Sequence, residues 1–224
     1  MVRRAPPIVS AASIGVLALA AAVWAPSCKS AYYSTMEKFG VHKRDILVDR
    51  VKEAREDQQE AKEQFVTTFE RFKALTGYDG GELEKRYERL SSAYDDCNAK
   101  AEDVRERIRS VEDVAEALFD EWKSEIREIQ DRDLARRSTE SLDDTRERYK
   151  ELLGAMKRAS SAMDPVLTAF RDHVLALKHD LNARAISSLQ GTVKSIEEDV
   201  SRLIDDMQRS IQEADTFIRA MSPS

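Results

Sequence analysis

Glycine, proline, cysteine and histidine are all scarce in this sequence. The 224 residues include seven Gly, five Pro, two Cys and three His. Because residues that break helices and strands are so few, the chain is expected to form a small number of long elements. Two cysteines are also too few for a disulfide-rich scaffold.

The motifs of common catalytic sites are absent from the sequence. It contains no Gly-x-x-x-x-Gly-Lys-Ser/Thr phosphate loop, no Gly-x-Ser-x-Gly elbow and no Glu-x-x-His pair of the di-iron bundles. His173 and His179 would point about 120° apart on a helix, so they cannot share a metal as an i,i+4 pair can. We therefore expect no enzyme, and predict no catalytic residue, no cofactor and no metal ligand.

Charge is abundant and balanced. Charged residues make up 35% of the chain and the net charge is −6, which argues against a nucleic-acid partner because phosphate binding needs clustered positive charge. Acidic and basic residues alternate at i,i+4 spacing, as in Glu82–Arg86 and Glu128–Arg132. Such pairs are typical of a solvated helix face.

The N-terminus resembles an export signal. Arg3 and Arg4 give a positive start, and an apolar run follows from residue 8 to residue 23. This run is shorter than the ~20 residues of a membrane-spanning helix and has the length of a signal-peptide hydrophobic region. Residues 1–27 are therefore predicted to be a signal peptide. It would be of the lipoprotein type described below; the alternatives are an ordinary signal peptide and an uncleaved anchor, each with an incidental Cys at position 28.

Cys28 is the predicted lipidation site. Ala25, Pro26 and Ser27 precede it, and small residues before a Cys resemble the lipobox of bacterial lipoproteins, whose Cys is acylated. Lys29 follows in place of the Asp that retains lipoproteins at the inner membrane. The resemblance therefore implies that the protein is located on the periplasmic face of the outer membrane. Residues 28–44 are predicted to be a tether, and residues 45–221 a helical domain.

Heptad spacing of apolar residues predicts the helical domain. The second stripe is the clearest, although Glu125 interrupts it before Ile129. Spacing of this kind, alternating four and three residues, is typical of helices that pack as coiled coils. The first stripe comprises Leu47, Val51, Ala54, Gln58, Ala61, Phe65, Thr68, Phe72 and Leu75. The second comprises Leu83, Tyr87, Leu90, Tyr94, Cys97, Ala101, Val104, Ile108, Val111, Ala115, Leu118 and Trp122. Cys97 lies on the apolar seam, so a buried, inert thiol is expected.

Two further stripes complete the pattern. Residues 131–137 are predicted to connect the second helix to the third, which Ser138 or Thr139 would cap. Asp164-Pro165 would kink or end the third helix, and a turn is favoured at residues 182–187, with Asn182 left-handed or Ser187 or Ser188 as a cap. The prediction is an all-α, up-and-down four-helix coiled-coil bundle, its helices similar in length at about 35–50 residues.

Five segments resemble an uncharacterised family of Gram-negative lipoproteins, known only as domain of unknown function 2959. They are MEKFGVHKRDILVDRV at 36–51, DGGEL at 79–83, SVEDVAEALFDEW at 110–122, MDPVL at 163–167 and LKHDLNARAI at 177–186. Together they span nearly the whole chain after the signal. The resemblance implies that the protein is a lipoprotein with a helical fold. It implies no activity and no site residue.

The expected function is that of a structural or interaction protein. A membrane-anchored helical bundle in the cell envelope would dock an envelope protein partner, and self-association through surplus apolar residues such as Ile186 is a further expectation. The alternative is a periplasmic binding module that holds a small apolar ligand or lipid between its helices. This alternative is suggested by a set of aromatic residues: Phe65, Phe69, Phe72, Phe119 and Trp122.

Overall fold

A computed structural model describes residues 42–77 and 82–222, and all of its regular structure in these ranges is helical. The helices are α1 (Lys43–Thr76), α2 (Leu83–Glu128), α3 (Arg132–His179), α4 (Ala183–Leu189) and α5 (Val193–Met221). A single 3₁₀ turn, Gln190–Thr192, joins α4 to α5. The predicted signal peptide, Cys28 and the tether up to residue 41 lie outside the described residues.

The four long helices form an up-and-down bundle. Each packs against two neighbours in the order α1, α2, α3, α5 and back to α1. The direction of each pair follows from contacts at both of its ends. In α1 and α2, for example, Lys43 Nζ lies 2.7 Å from Glu121 Oε1 while Thr68 Oγ1 lies 3.0 Å from the Ala93 carbonyl. The all-α bundle that the sequence predicts is therefore confirmed.

The predicted heptad stripes line the core. Every residue of the first stripe is buried, and so are the residues of the second stripe from Cys97 to Leu118. Leu83, Tyr87, Tyr94 and Trp122 of the second stripe are only partly buried. Burial of these narrow stripes is what makes such polar helices stable, because a helix with a charged outer face depends on tertiary packing.

The connection between α2 and α3 is shorter than predicted. It consists of residues 129–131, and Asp131 caps α3 by accepting a hydrogen bond from the Leu134 amide at 3.0 Å. The prediction of a connection through residue 137 with a cap at Ser138 or Thr139 is wrong. An aspartate is as good a cap as Ser or Thr, and the charged residues after it are compatible with the solvated first turns of a helix.

Pro165 does not end the third helix. Helix α3 runs unbroken through it to His179, so the alternative of a helix boundary at this position is wrong. Proline leaves the carbonyl of the residue four positions earlier without its helical partner. Pro165 and Ser161, the residue in question, are both exposed, so water can reach this part of the helix surface.

The predicted turn near residue 182 is present, with different caps. Asn182 has an extended conformation (φ −141°), and its side chain accepts hydrogen bonds from the amides of Arg184 and Ala185, each at 3.0 Å. It therefore caps the start of α4, and the predictions that it is left-handed or that Ser187 or Ser188 caps a helix are wrong. Ile186 is 2% exposed within α4, so it is not available to pair bundles.

The helices are unequal in length, contrary to the prediction. Helices α2 and α3 have 46 and 48 residues, whereas α1 and α5 have 34 and 29. The excess lies at one end of the bundle, where α1 starts and α5 stops. We call this the open end, and the part of α2 and α3 that extends past it, residues 122–144, the projecting hairpin. The opposite end, which α4 and the 3₁₀ turn cover, is the closed end.

Candidate functional site

A cleft of about 720 Å³ opens at the base of the projecting hairpin. All four long helices contribute to it: the first turn of α1, the last turn of α5, and the adjoining turns of α2 and α3. The lining residues are His42, Lys43, Arg44, Asp45, Leu118, Glu121, Trp122, Glu125, Ser141, Thr145, Ala220 and Met221. The lining of the cleft thus mixes apolar side chains, such as Leu118 and Trp122, with charged ones, such as Glu125.

Two polar contacts hold the ends of α1 and α5 in place at this cleft. The Lys43 ammonium pairs with Glu121 of α2 at 2.7 Å, and its side chain is only 10% exposed. The Arg44 guanidinium donates a hydrogen bond to the carbonyl of Met221. Because a cation near a helix C-terminus also interacts favourably with the helix dipole, Arg44 helps to end α5 at this level.

Aromatic side chains close the core just below the cleft. The rings of Phe119 and Tyr149 lie 5.4 Å apart, and those of Tyr149 and Phe217 lie 6.5 Å apart, both edge to face. Burial raises the pKa of Tyr149 well above its ordinary range, so its phenol stays neutral. The Arg146 guanidinium sits 5.3 Å above the Phe119 ring, a cation–π contact at the rim.

The projecting hairpin continues the apolar seam beyond this aromatic layer. Trp122 of α2 and Ile129 of the turn keep the heptad spacing, with Glu125 at the position between them and Ile126 beside it, and Trp122 and Ile126 pack against the core only partly buried. The Trp122 indole donates a hydrogen bond of 2.9 Å to the Ser138 hydroxyl across the hairpin. In the projecting hairpin, two helices therefore share the apolar seam, whereas four helices bury it in the rest of the bundle.

The aromatic residues proposed as a ligand site do not come together. Phe65 and Phe72 are fully buried beside the residues of α2 around Ala93. Phe119 and Trp122 belong to the open end, and the 26 residues from Ala93 to Phe119 correspond to roughly 39 Å of helix. Phe72 instead contacts Phe170, with ring centroids 6.2 Å apart. A single aromatic pocket between the helices therefore does not exist among the described residues.

The histidines and Cys97 also occupy separate places. His173 is half-buried against the Phe72 ring at 5.2 Å, and its Nε2 lies 3.3 Å from the Thr192 hydroxyl, whereas His179 is exposed. Cys97 is fully buried, as predicted, and burial raises its thiol pKa to about 12. Within residues 42–77 and 82–222 no cluster of three His, Cys, Asp or Glu side chains is arranged to hold a metal.

The heptad spacing does not reveal one polar feature of the core. Gln58 lies on the first stripe fully buried, and neither its amide nitrogen nor its amide oxygen has a hydrogen-bond partner. The Ser210 hydroxyl of α5 is buried and unpartnered in the same part of the bundle, between the contacts Arg55–Asp215 and Lys62–Gln208. The sequence signal for such a feature is a polar residue on a heptad seam. Only the structure distinguishes Gln58, which has no hydrogen-bond partner, from Thr68, whose hydroxyl is hydrogen-bonded.

The comparisons with known proteins identify the family and nothing more specific. None of the helices that the structure describes combines the length and the hydrophobicity needed to cross a membrane. No curated protein and no solved structure matches the chain. The model of a protein family, described as protein of unknown function (DUF2959), matches residues 32–221. This match covers the entire bundle, and the chain therefore belongs to that family.

Proposed function

We propose that this protein is a lipoprotein of the cell envelope whose bundle acts as a structural and protein-interaction module on the periplasmic face of the outer membrane. Acyl chains on Cys28 would anchor it, and no enzymatic step is assigned to it. One observation carries the proposal. The first helix starts at the open end, at Lys43, only a short stretch of chain after Cys28.

This arrangement would limit how far the open end can lie from the membrane. The segment from residue 28 to residue 42 can span at most about 50 Å when fully extended, at about 3.3 Å per residue. Helix α2, with 46 residues, is about 70 Å long at 1.5 Å per residue. An anchor at Cys28 would therefore keep the open end within about 50 Å of the membrane, and we propose that the closed end reaches into the periplasm.

The surface chemistry supports docking of a protein partner over turnover of a substrate. Ion pairs between neighbouring helices cover the long faces, such as Arg107 with Asp57 at 2.7 Å and Lys100 with Glu60 at 2.5 Å. Exposed pairs of this kind contribute little stability individually. They do give the bundle a rigid, patterned charge surface, and complementary charge on a partner provides specificity and a fast encounter.

In-cell cross-linking and pull-down of the full-length protein, beside a Cys28→Ser variant, tests the proposal. We expect a defined envelope protein to be captured by the wild type and lost in the variant, because the partner would meet the bundle only at the membrane. Mass spectrometry of the N-terminal peptide would show acyl chains on Cys28 in the wild type. Identical cross-links in both proteins, or an unmodified Cys28, would contradict it.

A further inference from the structure

A groove runs along the surface of the bundle between α2 and α3. It contains two shallow hollows of about 260 Å³ each, and Arg105 of α2 lines both of them. The lining of the first hollow includes Arg109, Lys157, Ser160 and Ser161. The lining of the second includes Tyr94, Asp164, Thr168 and Arg171. The groove therefore extends along α3 for about 21 Å, from Lys157 to Arg171 at 1.5 Å per residue.

Ion pairs join α2 to α3 across the middle of this groove. Arg105 Nη2 lies 2.5 Å from Asp164 Oδ1, and Lys157 Nζ lies 2.5 Å from Glu112 Oε1. Arg105 also pairs with Glu102 of its own helix. The charges of Arg105 and Lys157 are therefore already matched by carboxylates of the bundle.

Two further arginines of the groove are different. Arg109 is exposed, and within residues 42–77 and 82–222 it forms no ion pair. Arg171 is also exposed, and its only ion pair in the same ranges is with its chain neighbour Asp172, at 3.4 Å. Because neither guanidinium pairs with a carboxylate of the opposite helix, both can bind carboxylates of another molecule. The planar guanidinium suits this task, since it can donate two parallel hydrogen bonds to one carboxylate.

Open hydrogen-bonding groups lie between these two arginines. Ser161 shares the first hollow with Arg109, and its carbonyl lacks a helical partner because Pro165 has no amide hydrogen. Thr168 is exposed and shares the second hollow with Arg171. Such groups can bond to the polar side chains of a docked segment and help to fix its position.

The groove also offers aromatic and apolar surface. Tyr94 is half-buried in the lining of the second hollow, and Leu175, one turn after Arg171 on α3, is 50% exposed. Tyrosine and arginine are enriched at protein interfaces and among the residues that dominate their binding energy. A phosphate-bearing ligand would need clustered positive charge alone. The mixture of residue types therefore favours a protein segment as the occupant.

We propose that an acidic helix of a partner protein docks in the groove between α2 and α3. This inference rests on the proposed function, because it gives the interaction module a surface and its partner a chemistry. Ser161, which shares a hollow with Arg109, precedes Arg171 on α3 by about 15 Å. A helix presents the same face again after about eleven residues, or three turns. The docked helix would therefore carry Asp or Glu at two positions about eleven residues apart, one for each arginine.

Fluorescence anisotropy with a defined peptide tests this charge complementarity. The probe is a labelled helical peptide of about 18 residues, made of Ala, Gln and Glu, with its glutamates in two groups about eleven residues apart on one face. We expect it to bind the full chain carrying Cys28→Ser. The same peptide with Gln in place of every Glu should bind roughly ten-fold more weakly. Arg109→Glu combined with Arg171→Glu should weaken binding of the Glu peptide by a similar factor.

A matched double variant separates the groove from charge in general. Arg202→Glu combined with Arg209→Glu makes the same charge change at exposed positions of α5, and it should leave the affinity unchanged. Equal binding of the two peptides, or an equal loss in this control, would overturn the proposal. Tighter binding of inorganic polyphosphate than of the Glu peptide would also overturn it, and would assign the groove to a phosphate-bearing ligand.

Photo-cross-linking in cells tests the identity of the docked segment. With a photoreactive amino acid in place of Ser161, we expect an adduct whose cross-linked peptide carries Asp or Glu about eleven residues apart. The same amino acid in place of Val66, a 43% exposed residue of α1, should not give this adduct. No adduct at position 161, or an adduct with a second copy of the chain or with a segment that lacks acidic residues, would overturn the proposal.

These tests fail separately from those of the proposed function. Binding of the Glu peptide is measured in a chain that cannot be acylated at position 28, so it does not depend on the membrane anchor. An unmodified Cys28 would contradict the proposed lipoprotein and leave peptide binding unchanged. Loss of peptide binding with an acylated Cys28 would overturn the docking groove alone.

Discussion

The two ends of the bundle differ in how their cores are covered. At the closed end, α4 and the 3₁₀ turn cross the ends of the long helices, Ile186 and Leu189 fill the core, and Gln190 donates a hydrogen bond to the Thr76 carbonyl at 3.2 Å. At the open end, α2 and α3 continue past α1 and α5 with Trp122 half-buried. Among the described residues, the chain therefore completes its core at the closed end and leaves apolar side chains only partly buried at the open end.

The largest effect is expected from removing one aromatic ring at the closed end, with the same change at the open end for reference. Phe170→Ala, at a fully buried position beside Phe72, should lower the free energy of unfolding by about 3–5 kcal/mol. Trp122→Ala should cost less than half as much, because its ring is only partly buried. Urea unfolding followed by circular dichroism measures both. Equal losses would show that the open end is packed as tightly as the closed end.

The two polar residues on the α1 seam, Gln58 and Thr68, should affect stability in opposite directions. Gln58→Leu should raise the free energy of unfolding by about 1–2 kcal/mol, because it removes a buried amide that has no partner. Thr68→Val should lower it by about 1 kcal/mol, because the Thr68 hydroxyl lies 2.8 Å from the Gln64 carbonyl and 3.0 Å from that of Ala93.

The informative outcome is that the two substitutions change the free energy of unfolding in opposite directions. A destabilising Gln58→Leu would mean that the amide is satisfied in solution. Analytical ultracentrifugation of the same variant tests a second role, since a buried polar residue on a heptad seam can fix register and oligomeric state. A change in mass with Gln58→Leu would support that role.

Acid should weaken the closed end through His173. Burial lowers the pKa of its ring from the ordinary 6.5, and the neighbouring Asp172 opposes the shift. Because the folded pKa lies below the unfolded one, the stability that the neutral ring contributes is complete above about pH 6.5. It is lost as the pH falls through the lower folded value.

Melting temperatures measured from pH 7.5 to pH 5 test this prediction. The decrease should be smaller in His173→Gln than in the wild type, whereas His179→Gln, an exposed histidine on the same helix, should follow the wild type. An unchanged decrease in His173→Gln would exclude His173 as a source of the pH dependence.

The smallest effect is expected at the tip of the projecting hairpin. Leu134 is 56% exposed, so Leu134→Ser should change the free energy of unfolding by no more than about 0.5 kcal/mol. A larger loss in the isolated protein would indicate that the tip is covered in solution, by another segment or by a second copy.

The sequence predicted the helices and their buried faces because heptad spacing reports burial directly. The residues of the first stripe and the central part of the second are buried as expected, and Cys97 is buried as predicted. Capping residues and proline predicted the ends of the helices less well. Asp131 rather than Ser138 caps α3, and Pro165 is accommodated on an exposed face, since caps and breakers depend on which neighbours and how much solvent surround them.

The candidate site could not be predicted in the same way. The cleft exists because α1 and α5 end short of α2 and α3, and helix length relative to a partner is a property of the assembled bundle. The grouping of Phe65 and Phe72 with Phe119 and Trp122 failed for the same reason, because residues in different helices become neighbours only through the register between them. That Gln58 lacks a partner likewise depends on the residues that other helices place around it.

Fluorescence quenching can measure which end of the bundle faces the membrane. A fluorophore would be attached to the lipid-anchored protein in liposomes, at Ile129→Cys in the open end or at Gln190→Cys in the closed end, with lipids carrying a quencher. We expect strong quenching at position 129 and little at position 190, because the closed end would lie tens of ångströms from the bilayer. Equal quenching at both positions, or stronger quenching at position 190, would contradict it.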